Sequence, residues 1–384
     1  MWVISFLVFV SLGLIMWGIK MILGNNACYC KLVAIRIGIL YYHLIQFFNK
    51  HMRKNYLIIS GIVLIILVVT ILGLSMRPKD FQKNEGGKIK IVTTLFPLYD
   101  FAKNIGQDKV EISLLLPPGV EAHTFEPKPS DIVKINESGL FVYTGKFMEP
   151  WAEDIIKGVT NKNVKVVDSS LGIEMMAEAE GAHEGEAEGA HADEHGAEAE
   201  EVGHEHGGVD PHIWLDFDNN IIMVDSIVKA LSEKDPTNAN FYQKNADEYK
   251  NKLAQLDNRY KSGLTKCESK EIVYGGHYAF GYLGKRYGLA YESAYGISPD
   301  SEPSAQDLAK LIEQIKKEKI KYVFFEELVS PKVAETLAKE TGTGLLLLNP
   351  AHNLTKKDFE NNVSFLSIME KNLTNLKTGL QCNN

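Results

Sequence analysis

From residue 88 onward, short apolar runs alternate with segments of helical periodicity, and this alternation limits the fold more than any other feature of the chain. The runs cover 89–94, 110–116, 140–143 and 164–167, then 272–274, 322–325 and 345–348. When a helix separates successive strands, each strand can return parallel to the one before it. The pattern therefore predicts an α/β protein with mostly parallel sheets. Several runs are apolar at consecutive positions, as strands covered on both faces are. The long interval between the fourth and fifth runs sorts them into two Rossmann-like α/β lobes.

Part of that interval reads as one long helix over 238–263. Tyr242, Ala246, Tyr249, Leu253, Leu256 and Tyr260 recur at steps of four and three, which gives one continuous apolar stripe. About 25 residues of helix span roughly 37 Å, enough to run the height of a two-lobed protein as a stiff spine. A surface helix lying on one lobe has the same periodicity, so both placements stay open.

The net charge of −8 is local: residues 177–208 hold eleven Asp and Glu, five His and no Lys or Arg, and the remainder is +3. This stretch of Gly, Ala and Glu has no apolar periodicity and is expected to be a disordered loop. A long loop of this kind usually has a functional reason. Its imidazoles and carboxylates offer many weak, exchanging metal sites; a solvated linker with incidental histidines is the other reading. No basic stripe is present, so nucleic acid is not an expected partner. The four cysteines are too few and too scattered for a disulfide scaffold, and they form no CxxC pair.

The first 76 residues differ from the rest. Apolar runs cover 2–19, more weakly 32–48, and 56–76, and the 21 residues of the last match the roughly 20 needed to cross a bilayer as a helix. Lys50, Arg53 and Lys54 precede it and a polar linker follows, the order of a secretory signal or an uncleaved signal anchor. Residues 1–51 then read as an over-extended translation start, or as part of a genuine multi-span anchor. Either reading places 88–384 outside the cytoplasm, on the periplasmic or extracellular face of the membrane. That compartment permits a Cys267–Cys382 disulfide without demanding one.

Three histidines have unusual neighbours. His123 follows a strand within Pro-Pro-Gly-Val-Glu-Ala-His-Thr-Phe-Glu-Pro, His212 lies in Asp-Pro-His-Ile-Trp-Leu-Asp, and His277 follows Gly275-Gly276 where a strand hands over to a helix. Open α/β sheets bind ligands at the carboxyl ends of their strands, which is where His123 and His277 fall. Three imidazoles suit Zn2+, whereas Mn2+ and Ca2+ lean on carboxylates. Taken singly, each histidine would more often be a packing or surface residue. Glu326 and Glu327 either accept from an imidazole N–H or begin a solvated loop. Gly275-Gly276 allows close backbone approach, Trp151 and Trp214 read as core, and no GxGxxG or P-loop pattern points to a nucleotide.

Residues 89–380 resemble the zinc- and manganese-binding solute-binding proteins of ABC importers. The matching pieces are Pro118-Gly-x-x-x-His-Thr-Phe-Glu-Pro127, Asp210-Pro-His-x-Trp-Leu-Asp216, His277-x-Ala-Phe-x-Tyr-Leu with Arg286-Tyr-Gly-Leu289, and Glu302-Pro-Ser-Ala305. The resemblance implies two lobes linked by a long helix, with His123, His212 and His277 as metal ligands. Relatives that prefer manganese tend to carry a carboxylate where His277 stands, so Zn2+ is the expected cargo and Mn2+ the less favoured. Many relatives place a fourth ligand, Asp, at a late Leu-Asp-Pro; here Leu348-Asn349-Pro350 stands there, and Asn349 is a poor zinc ligand. Water, a histidine of the acidic segment or Glu121 is left to complete the site, with Glu121 the least favoured. The zinc branch often carries a His-rich insertion near 177–208.

The division expected is a leader over 1–51, a signal or anchor with linker over 52–87, a first lobe over 88–218, connecting helices over 219–263 and a second lobe over 264–384. The implied activity is receptor work without catalysis. A monomer, held to the membrane by its N-terminal helix, captures Zn2+ between its lobes and passes it to a permease driven by a separate ATPase. A zinc hydrolase with three histidine ligands and a surface adhesin of the same fold are the competing readings. No HExxH motif supports the hydrolase.

Overall fold

The computed structural model describes residues 87–177, 208–297 and 303–383, together with Ile39 and His43. Both sheets belong to one unit, Gly86–Asn384. The leader over 1–51 apart from Ile39 and His43, the membrane-length run 56–76 and nearly all of the acidic stretch 177–208 lie outside the described residues. Among the described residues, no helix is long and apolar enough to cross a membrane.

The first half runs β1 (Ile89–Thr93), α1 (Phe96–Gly106), β2 (Val110–Leu114), α2 (Pro129–Asn136), β3 (Leu140–Tyr143), α3 (Ala152–Gly158) and β4 (Lys165–Asp168). Two helices follow, α4 (Phe217–Lys234) and α5 (Ala239–Gly263). The second half runs β5 (Glu271–Tyr274), α6 (Gly281–Tyr287), β6 (Ala290–Ser293), α7 (Ala305–Lys317), β7 (Tyr322–Phe325), α8 (Lys332–Thr341) and β8 (Gly344–Leu347). It closes with α9 (Lys356–Glu360) and α10 (Phe365–Gly379).

The sheets are ordered β2-β1-β3-β4 and β6-β5-β7-β8, and every pairing is parallel. Both lobes thus repeat one topology, with the reversal of strand order between the first and third strands of each. The alternation of runs foretold this arrangement except for β6. That strand, Ala-Tyr-Glu-Ser, is an edge partly open to solvent and pairs only with β5, so it needs no continuous apolar run.

Alternate strand residues feed two different cores, as a period of two requires. Ile91, Val142, Ile272, Tyr274 and Phe324 face inward and join one cluster that runs through α5 to Phe365 and Leu376. Val92 and Phe141 face outward against Ile135 in the first lobe, and Val273 and Val323 face outward against Leu337 in the second. All six stripe residues of α5 are at most 2% exposed. The helix packs against α1, α4 and α10, so the placement on one lobe falls away and the spine stands. Its burial stabilises the unit by roughly 1.5–3 kcal/mol per large apolar side chain.

Polar ties reinforce the spine. Arg286 of α6 donates to Asp257 of α5 at 2.8 Å and to Asp216 at 2.8 Å, and Asp216 is the residue that caps α4. Cys267, just beyond α5, is disulfide-bonded to Cys382, just beyond α10.

Candidate metal centre

The carboxyl ends of the strands converge on four histidines. His123 lies in the loop after β2, where Pro117-Pro118 cannot continue the ladder and Gly119 turns at φ 87°. This loop is held by the other lobe. The amide of Gly119 donates to the carbonyl of Leu354 at 2.7 Å, and the Asn353 side chain donates to the carbonyls of Pro117 and Val120, both at 2.8 Å. Glu121 Oε1 accepts from the amides of Ala122 and His123, which fixes the direction of the backbone at His123.

His212 enters from the crossover that leads to α4. Asp210 accepts from both its backbone N–H at 2.9 Å and its Nδ1–H at 2.8 Å. Beside it the stems of the acidic segment are pinned together by a bridge between Ala177 and Val209. The Tyr282 hydroxyl of α6 clasps both stems, accepting from Met176 N–H at 2.9 Å and donating to the Asp210 carbonyl at 3.3 Å. His277, after β5, is oriented by Glu326 at the end of β7, whose Oε2 lies 2.7 Å from Nδ1.

With both Nδ1 atoms engaged, the Nε2 atoms of His212 and His277 are left to face one another. They stand 3.1 Å apart, and His123 Nε2 lies 3.2 Å from that of His212. The three ring centroids are mutually 5.1 Å apart. Four nitrogen ligands at zinc distance and tetrahedral angles stand about 3.3–3.4 Å from one another, so these two edges are already near the length this ion requires.

Electrostatics prepares the same site. Burial, then the field of His277 and His352, holds His212 well below its ordinary value, so its Nε2 carries a lone pair at neutral pH. Burial also pulls His277 down, but the carboxylate of Glu326, aided by Glu121 and Asp210, outweighs it and the net shift is upward. Glu326 responds in the opposite sense: burial pushes it up, and His277 brings it below the usual carboxylate range. Asp210 is pushed up to about 7 by burial, only partly offset by the His212 N–H and the charge of His277.

The structure brings together all three histidines singled out in the sequence, and adds one that was not. His352 is 1% exposed, its ring lies 5.6 Å from that of His277, and its Nε2 stands 3.7 Å from Glu121 Oε2. His352, His277 and Glu326 form a second group of donors close enough to share an ion. Both ring nitrogens of His352 and Glu121 Oε2 are buried without a hydrogen-bond partner. Burial lowers the His352 pKa, so this imidazole too is neutral. The clue in the sequence was a histidine two residues beyond Pro350, at a strand's carboxyl end like His123 and His277.

Asn349 has another task. Its side chain donates to Glu327 and accepts from Ala351 N–H, bracing a turn in which Ala351 takes φ 59° and His352 points inward. Of the two acidic residues after β7, Glu326 is therefore the histidine's acceptor and Glu327 is not. Trp214 is buried and donates to the Pro350 carbonyl at 2.7 Å, whereas Trp151 is half-buried against Phe125.

Two lobes of like topology around a spine helix, with histidines gathered at the strand ends between them, define a solute-binding receptor of the metal-uptake class. Residues 91–379 match the family described as zinc-uptake complex component A, periplasmic, and the chain belongs to that family. It is 38% identical over 302 residues to the high-affinity zinc uptake system protein ZnuA of Bacillus subtilis, covering 79% of this chain and 91% of that one. It is 40% identical over 292 residues to the zinc-binding protein AdcA of Streptococcus pyogenes serotype M3, covering 76% of this chain but only 56% of AdcA. Among solved structures, the Zn(II)-bound ZnuA-like domain of Streptococcus pneumoniae AdcA superposes with a TM-score of 0.62 at 35% identity, covering 77% of this chain and 99% of that domain. The laminin-binding protein of Streptococcus agalactiae, described as having adhesin and metal-transporting activity, gives 0.64 at 28% identity, covering 77% of this chain and all of that one.

Proposed function

We propose that this protein captures Zn2+ outside the cytoplasm on His123, His212 and His277 and hands it to the permease of an ABC importer, whose ATPase is a separate subunit. The observation that carries this reading is the triangle of Nε2 atoms, 3.1 and 3.2 Å along two of its edges, in a chain of the zinc-uptake family. Two of the three imidazoles have a buried carboxylate on the other nitrogen, the arrangement that sets tautomer and raises ligand basicity. His352 is the fourth ligand in this reading, with Glu121 as its carboxylate. The Cys267–Cys382 disulfide supports an oxidising compartment.

The work is binding and release rather than catalysis. His212, His277 and His352 are at most 1% exposed, and Glu121 has Oε1 on two backbone amides and Oε2 buried beside His352. Neutral imidazoles are required for capture, so binding weakens in acid. Calorimetric titration of the full chain with zinc tests the assignment. Replacing His123, His212 or His277 by Ala is expected to abolish the tight site, and tight binding that survives all three single substitutions overturns it. Adhesion is a second reading, favoured by the likeness to the laminin-binding protein; immobilised laminin is the ligand to test.

A further inference from the structure

We infer that Gly281 and Gly276 are positioning residues of the metal centre, whose missing side chains let Asp210 and Glu326 close on His212 and His277. The inference rests on the proposed zinc site and concerns what holds it in shape. A Cβ on Gly281 would lie 2.6 Å from Asp210 Oδ2 and 2.8 Å from the Tyr278 hydroxyl oxygen. A Cβ on Gly276 would lie 2.7 Å from Glu326 Oε2 and 2.5 Å from a ring carbon of Tyr274. Contacts this short force something to move. Asp210 cannot yield without cost, because its other oxygen holds both the backbone N–H and the ring of His212 and the residue is fully buried. Glu326 Oε2 is the very atom that receives His277 Nδ1, and it is equally enclosed.

Backbone conformation does not explain these glycines. Neither has a positive φ, so both sit where any residue can. Gly281 opens α6, and alanine is the better helix former there. A position free of these contacts would accept alanine or gain from it, and the change in zinc affinity, beyond any change in stability, separates the displaced carboxylates from the displaced tyrosine rings. The same relation occurs twice, once for each of the two carboxylates that orient a ligand histidine, on different loops.

The test is zinc affinity of the full chain by chelator competition for Gly281→Ala and Gly276→Ala, alone and with Asp210→Asn and Glu326→Gln respectively. Each alanine is expected to weaken zinc about 10–100-fold, the range seen when a partner that orients a metal ligand is lost. The loss should shrink to less than about twofold when the matching carboxylate is already replaced, because the charged carboxylate–imidazole contact that the alanine would disturb is then already lost. The imidazole nitrogen spectrum of His212 should shift in Gly281→Ala and that of His277 in Gly276→Ala. Wild-type affinity in both alanine variants overturns the inference, as does a loss undiminished in the double variants. If one alanine variant melts early, the other decides. The single alanine variants of His123, His212 and His277 separate the two levels: tight binding retained in all three refutes the zinc site itself, whereas its loss beside unaffected glycine variants refutes only the positioning role.

Discussion

The side-chain amide of Asn353 donates to the carbonyl of Pro117 at 2.8 Å, joining the loop that carries His352 to the loop that carries His123. A second bond from the same nitrogen reaches Val120. The most exposed of the four histidines is thus positioned by the opposite lobe, beside a histidine of that lobe.

Asn353→Ala removes both bonds, and Asn353→Asp offers no donor to either carbonyl. Both variants are expected to lower zinc affinity about tenfold, roughly 1.4 kcal/mol, through loss of His123 alignment. Competition titration against a chelator checks this, and the two variants should agree.

His352→Ala should keep a stoichiometry of one and lose affinity by about 10–100-fold, because three imidazoles still hold the ion and water takes the fourth place. Added imidazole should restore part of the loss. The ligand-field spectrum of the Co(II) form reports the same change in coordination.

Asp100 links α1 to the spine, accepting from the Tyr249 hydroxyl at 2.9 Å, and burial raises its pKa to about 6. A carboxyl raised in the fold contributes stability below its unfolded pKa near 4, and that contribution is lost as pH rises through 6. Denaturant titrations should therefore show wild type gaining on Asp100→Asn by up to about 3 kcal/mol between pH 8 and pH 4. A difference that stays flat over this range contradicts the assignment.

Reducing the Cys267–Cys382 bond, or replacing both residues by Ser, frees a loop with a sequence separation of 115 residues. The expected loss is about 2–4 kcal/mol, read as a lower melting temperature. Zinc affinity should be unchanged, since neither cysteine lies among the ligand loops.

Most of this architecture was legible because it depends on periodicity. Strands sealed on both faces must be apolar throughout, and a spine packed along one side must repeat at three and four, so 140–143 and 238–263 declared themselves. The edge strand at Ala290–Ser293 did not, since half of it meets solvent. His123, His212 and His277 stood out through glycines, prolines and acids within a few positions. His352 did not, because what makes it a candidate ligand comes from far along the chain: Glu121 across the cleft and His277 beside it. Glu326 could be named as an acceptor, but only the pairing of β5 with β7 shows which histidine it serves.

The spine also divides the donors, with His123 and His212 before it and His277 and His352 after it. The contact that closes the site, Asn353 to Pro117, joins residues 236 positions apart. On the proposed site, neither half alone supplies enough donors to hold zinc tightly. Tight occupancy of that site would require the last strand to have docked, and from then on bound zinc would oppose unfolding by mass action. On that site, a zinc-loaded molecule would be one whose folding is complete.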